Sequence, residues 1–155
     1  MQADGLRSVA SELGVGRCVS VSLDVTNADA VKKAIESVVA AGDTEQLDAL
    51  VLCAGICREA LFDEVALPVH AATIDVNFKG AVHCIYSALP ALQRAGTSHI
   101  VSIASTTAHY GLPEYPVYGA TKAAIRALTE ALNLEFERFG IQVRHNVGFT
   151  ASLLF

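Results

Sequence analysis

Two continuous apolar runs of strand length constrain this chain more than anything else: Leu47–Ala54 (LDALVLCA) and His99–Ile103 (HIVSI). Their hydrophobicity is continuous rather than alternating, the pattern of a strand covered on both faces, as in a parallel sheet. Parallel neighbours need a crossover between them, and a helix is the usual one. The rest of the chain can then be read for helices at the right places.

Leu6, Val9, Ala10 and Leu13 recur at helical spacing and Gly14 closes that helix. Arg17–Val25 (RCVSVSLDV) reads as a strand whose carboxyl end carries Asp24. Thr26-Asn27-Ala28-Asp29 caps a helix from about Asn27 to Ala41, with Gly42 beyond it. A long helical region runs from Pro68 to Arg94, with Ile74, Phe78, Ala81, Ile85 and Leu89 on one face and Asn77 offset from that stripe. A last helix covers Pro116 to Phe139, ended by Gly140, and Ile141–Val147 forms one more strand. Strands alternating with helices in this way imply an α/β fold, a doubly wound parallel sheet in a single domain over residues 1–155. Ligands bind such sheets beyond the carboxyl ends of the strands.

Buried strands account for a hydrophobic content of 52%, because no apolar run reaches the roughly 18 residues of a membrane span. A net charge of −5 without a basic cluster argues against nucleic acid and anionic membranes as partners. The first residues, MQADGLRSVASELG, lack the charged and apolar regions of a signal peptide, so a cytoplasmic location is expected. Cys18, Cys53, Cys57 and Cys84 form no disulfide framework, and Cys53 and Cys57 lack a second pair at metal-ligand spacing. Buried, reduced thiols and no metal are expected.

The chemistry concentrates in Ile103–Lys122, IASTTAHYGLPEYPVYGATK. Ser105 follows a strand, and Tyr118 and Lys122 stand four residues apart on the next helix, on one face. A cation beside a phenol favours the phenolate and lowers its pKa from about 10. His109 is near Ser105 in sequence, but no G-x-S-x-G turn surrounds that serine, which disfavours a hydrolase. Asp24, Gly55 and Ser105 all fall at strand carboxyl ends, where the architecture expects a site.

These residues together resemble a short-chain dehydrogenase/reductase. Tyr118 and Lys122 match the family's Tyr-x-x-x-Lys, Ser105 its catalytic serine, and Asn77 in IDVNFKG the asparagine of its catalytic tetrad. Asp24-Val25 matches the pair flanking the adenine ring, and Cys53-Ala54-Gly55 stands in place of the family's Asn-Ala-Gly turn. The resemblance implies a Rossmann-like oxidoreductase moving hydride between NAD or NADP and a small alcohol or carbonyl compound. It implies Tyr118 as acid or base, Lys122 as the group that lowers the tyrosine pKa and binds the nicotinamide ribose, and Ser105 as hydrogen-bond partner of the substrate carbonyl. It further implies that Asn77 holds a water linking Lys122 to solvent, and that the protein is a homo-oligomer. An epimerase or dehydratase of the same superfamily shares Tyr-x-x-x-Lys, but Ser105 and Asn77 favour the simple oxidoreductase.

The chain also departs from the family. The family's opening strand and its T-G-x-x-x-G-x-G turn are missing, so the first helix matches the family's second. Val147-Gly148 lacks the family's Pro-Gly, and the substrate loop after it is short; Gly148 and Thr150 are the cofactor-contact candidates there, with Ser152 a weaker one. The expectation is a chain truncated at both ends, inactive alone, with a bare apolar edge on LDALVLCA that makes it poorly soluble or oligomeric. The alternative is a non-catalytic relative that acts through protein–protein contacts.

Overall fold

The structure is a computed structural model, and it describes Glu12 and residues 19–146. The expected helix through Leu6 and Leu13, the start of the expected strand at Arg17 and Cys18, and Val147, Gly148, Thr150 and Ser152 lie outside the described residues.

Helix α1 (Ala28–Ala40) begins where the sequence places it, because the Asn27 side chain accepts a hydrogen bond from Ala30 N at 3.0 Å. Strand β1 (Ala49–Leu52) follows. The helical region expected from Pro68 to Arg94 is in three pieces: α2 (Leu67–Ile74), a π-helical turn (Asp75–Lys79) and α3 (Gly80–Arg94). Strand β2 (Ser98–Ile103) leads through a 3-10 turn (Thr106–Ala108) to α4 (Pro116–Phe136). Pro116 suits the start of α4, since its ring presets a helical φ and its missing N–H would have had no helical partner. A 3-10 turn at Glu137–Phe139 and Gly140, in the left-handed conformation (φ 72°), then deliver the chain to β3 (Ile141–Asn146). A side chain on Gly140 would run into the Gly96 carbonyl, so glycine is needed there on two counts.

The three strands are all parallel, in the order β1-β2-β3. Ala49 pairs with His99 and Ser98 with Ile141. Ala104 N adds a further 2.8 Å bond to Asn146 O past the end of β2. The core lies where α3 and α4 cover β2 and β3: Ile85, Ala88 and Leu92 pack with Ile100, Phe136, Ile141 and Val143. This is the α/β, Rossmann-like arrangement that the sequence implies.

Three local expectations fail. Among the described residues of the expected strand at 17–25, residues 19–24 form no strand, and Val19, Val21 and Leu23 are exposed. A strand needs a partner for its N–H and C=O groups, and no described strand lies beside this segment. β1 is not covered on both faces either: Val51 is 60% exposed and residues alternate between exposed and half-buried. It is the edge of the sheet among the described residues, so one side has no described neighbouring strand to bring helices over it. On the long helix, Ile85 is buried but Ile74 is exposed, because the π turn after Ile74 breaks the helical stripe.

Candidate active site

Strand β2 points its carboxyl end at Ser105, whose extended backbone (φ −147°, ψ 155°) caps the 3-10 turn. The Ser105 hydroxyl oxygen accepts from Thr107 N at 3.3 Å and from Thr107 Oγ1 at 3.0 Å. Helix α4 lies against this turn: a Cβ on Gly119 would stand 3.3 Å from Thr107 O. The absence of a side chain at Gly119 therefore allows the first turns of α4, with Tyr118 and Lys122, to approach Ser105.

Tyr118 and Lys122 share a face as their spacing requires, with Nζ 5.7 Å from the phenol ring centre. Lys122 Nζ donates to Ile103 O at 2.8 Å. Burial pushes the Tyr118 phenol above its ordinary value, a hydrogen bond with Ser105 pulls it back, and the nearby Cys57 raises it further. Lys122 is lowered by burial, against the pull of Cys53 and Cys57. The expected lowering of the tyrosine by the lysine is thus not the outcome. The ammonium is itself poorly solvated and is turned to a backbone carbonyl, so desolvation of the phenol dominates.

Asn77 is 4% exposed, carried inward by the π turn. Its Oδ1 accepts from Ile56 N at 2.7 Å, and its Nδ2 donates to Ile56 O at 2.9 Å and to Thr121 Oγ1 at 3.2 Å. Asn77 therefore clamps the backbone just after Cys53-Ala54-Gly55. Gly55 lies in the middle of the cluster: a Cβ there would be 3.4 Å from Asn77 Oδ1 and 4.0 Å from Lys122 Nζ. Ser105, Tyr118, Lys122, Asn77 and Gly55 are brought together.

Asp24 and Val25 belong to another neighbourhood. Asp24 Oδ1 accepts from Thr26 N at 2.9 Å and Thr26 Oγ1 at 2.8 Å, and these bonds hold its carboxyl below the usual carboxylate value. Val25 packs at the start of α3, where a Cβ on Gly80 would meet Val25 Cγ2 at 2.7 Å; Val25 O lies 3.0 Å from His83 Nδ1. Cys53 and Ala54 are exposed.

Cys57, Tyr115 and Thr121 stand near the site beyond the residues that the sequence motifs single out. Cys53 and Cys57 are free and exposed rather than buried, because they sit past the open edge strand, and among the described cysteines Cys84 is half-buried. Tyr115, bonded to Glu59, has its phenol pushed up to about 12. Thr121 has a legible signal in retrospect: it lies three residues after Tyr118, on the same helix face. Among the described residues no cluster of three or more His, Cys, Asp or Glu is placed to hold a metal ion, and no helix is long and apolar enough to cross a membrane.

The short chain dehydrogenase family profile matches residues 1–150. A protein of Staphylococcus saprophyticus named as an uncharacterized oxidoreductase is 31% identical over 144 residues, which is 93% of this chain and 58% of that one. The crystal structure of a short-chain dehydrogenase from Streptomyces avermitilis has a TM-score of 0.87 at 25% identity, covering 98% of this chain and 56% of the other. The structure of ElxO with NADP bound has a TM-score of 0.82 at 28% identity, covering 94% of this chain and 59% of its own. The chain spans a little over half the length of each of these three relatives. With a profile match over nearly all its residues and the Ser105–Tyr118–Lys122 cluster at the end of β2, the chain belongs to the short-chain dehydrogenase family.

Proposed function

We propose that these residues serve an NAD(P)-dependent oxidoreductase that interconverts a small carbonyl compound and its alcohol. The observation that carries this reading is the placement of Ser105 at the end of β2, against the helix face that presents Tyr118 and the half-buried Lys122. Tyr118 is the acid in reduction: a phenol is protonated at neutral pH and can give its proton to a carbonyl oxygen as charge develops there, while the burial that raises it works against that transfer. Ser105 orients that oxygen by hydrogen bonding. Asn77 Oδ1 keeps a second lone pair, and Lys122 Nζ adjoins the same glycine, so a water beside Gly55 would connect the two.

The nicotinamide cofactor, when bound, supplies the hydride. The residues fit its reactive end: Gly55 leaves an open backbone next to Lys122, and Tyr118 and Lys122 would hold the nicotinamide ribose. Cys53 and Ala54 would line the same wall, Asp24 and Val25 would flank the adenine, and Gly148 and Thr150 are the remaining candidates. No T-G-x-x-x-G-x-G turn for the pyrophosphate occurs in these 155 residues. The choice between NAD and NADP is left to experiment, with the NADP-bound neighbour favouring the second.

Fluorescence titration of the chain with NADPH and NADH, followed by turnover of a carbonyl panel, tests the proposal. The same titration decides the expectation that the chain is inactive alone. If Gly55, Tyr118 and Lys122 suffice without a glycine turn, dinucleotide should bind, and Tyr118→Phe should keep that binding while turnover falls by about 10²-fold or more. Reduction should decline as alkaline pH strips the Lys122 ammonium, at a pH below its ordinary 10.5. Failure to bind either dinucleotide, or full turnover by Tyr118→Phe, would sink the reading. The exposed Val51 on the open edge of β1 favours a second one, a relative that pairs with another protein or a second copy through that edge. Such a chain would ignore both dinucleotides and run as a concentration-dependent assembly in sedimentation.

A further inference from the structure

Thr121 has a place in the cluster that the four proposed residues do not explain. It is 4% exposed, and its hydroxyl donates to Tyr118 O at 2.7 Å. That bond uses the one proton the hydroxyl has, so toward Asn77 it presents only lone pairs, and Asn77 Nδ2 donates to it at 3.2 Å. Asn77 in turn brackets both backbone groups of Ile56. One hydroxyl thereby closes a continuous line of hydrogen bonds from the Tyr118 turn of α4, across the π turn, to the backbone following Gly55.

We infer that Thr121 is a positioning residue that fixes the Asn77 carboxamide and ties the proton-donating helix to the Gly55–Ile56 turn. The functional meaning rests on the oxidoreductase reading above. Its physical content does not, since every bond in the line lies within the chain. Each of the carboxamide's two N–H groups has its own acceptor, Ile56 O and Thr121 Oγ1. Without the second, one N–H points into a buried space with no partner, and only the two bonds to Ile56 hold the amide against rotation about its last bond. Loosening there would move the backbone beside Lys122, because Gly55 stands between Asn77 Oδ1 and Lys122 Nζ.

The test needs neither cofactor nor substrate. In the full chain labelled with ¹⁵N, the Asn77 side-chain amide is assigned by its loss in Asn77→Ser, and the exchange of its protons with solvent is measured. Wild type and Thr121→Ser, which keeps the hydroxyl, should show two separate and slowly exchanging resonances. Thr121→Val, equal in shape but without the hydroxyl, should speed that exchange by roughly tenfold or more. Thr129→Val is the control: Thr129 is as deeply buried on the same helix and bonds Ile125 O and Arg126 O, yet does not touch Asn77, so it should leave the Asn77 resonances alone. If Thr121→Val does not fold, Thr121→Ala, which adds no atom, takes its place. Unchanged Asn77 exchange in the variant lacking the hydroxyl, or equal acceleration by Thr129→Val, overturns the inference. Failure of the dinucleotide titration would instead strike the oxidoreductase reading and leave these spectra as they are.

Discussion

Strands β1 and β2 are neighbours of similar hydrophobicity, yet they sit in different environments. β2 is hydrogen-bonded on both sides and buries Ser98, Ile100 and Ser102 completely or nearly so. Among the described residues β1 has only β2 beside it, and its Val51 is largely exposed. An apolar run states what a strand would gain from burial, but the neighbours decide whether burial happens. The candidate site divides along the same line. Ser105, Tyr118, Lys122 and Asn77, proposed for proton transfer, hang from β2 and the helices packed on it. Cys53, Ala54, Asp24 and Val25, proposed for cofactor contact, lie past the open strand or on the turn before α1.

The largest effect expected from this contrast is on stability. Ile100→Ala removes a fully buried side chain and should cost about 2–5 kcal/mol, including the cavity left behind. Val51→Ala, on the adjoining strand, should cost less than about 1 kcal/mol, since its side chain is already in water. Urea unfolding followed by circular dichroism measures both, and equal costs would break the comparison. Next in size is Asn77→Ala, which leaves Ile56 N–H and C=O without their side-chain partner and takes from the Thr121 hydroxyl the bond it accepts, while its bond to Tyr118 O remains. A loss of about 1–3 kcal/mol is expected when partly buried donors and acceptors lose their partners. The same denaturation experiment reads it, and a variant as stable as wild type would mean that the open side of the sheet lets water replace Asn77.

The uneven burial also explains what the sequence could and could not reveal. Helices α1 and α4 and strands β2 and β3 were legible to within a few residues, because their capping residues, their apolar spacing and their tertiary contacts all agree. The segment at 19–25 was not: its residues prefer a strand, but pairing is a property of neighbours and no local pattern encodes their presence. The π turn at Asp75–Lys79 was invisible for a related reason, since one extra residue in a helical turn leaves the composition unchanged while turning Asn77 inward. Spacing places Tyr118 and Lys122 on one helix face, and the family's motifs join Ser105 to them. The direction of the tyrosine's shift is not in that spacing, because it depends first on how deeply the phenol is buried and only then on Ser105 and Cys57 beside it.

Gly119→Ala should change overall stability by no more than about 1 kcal/mol, because the better helix propensity of alanine offsets the 3.3 Å approach to Thr107 O. Its effect should appear at the site instead. Pushing the 3-10 turn away from α4 weakens the Ser105–Tyr118 hydrogen bond, the one influence that lowers the phenol, so the Tyr118 pKa should move further up. Ultraviolet titration of tyrosine ionisation, with Tyr118→Phe identifying the band, checks this; an unmoved or lowered value would show that the turn and helix shift as one body.

The smallest effect belongs to the open half. Asp24 holds Thr26 just ahead of the α1 cap, and its carboxyl is lowered from 3.8 by the Thr26 backbone and side-chain bonds. A carboxyl lowered in the folded state stabilises it fully above the unfolded value, and that contribution fades as pH falls through the folded value. Asp24→Ala should therefore lose a little stability at neutral pH and converge on wild type in acid below 3.8. Because the carboxylate is wholly exposed, solvent screening keeps the difference small, and added salt should reduce the part that is electrostatic. Thermal melts of the two proteins at neutral and acid pH, with and without salt, measure the gap. A gap that persists in acid would mean that Asp24 acts on α1 by packing rather than by charge, and would place the Asp24–Val25 turn with the buried half of the molecule, where Val25 already meets α3.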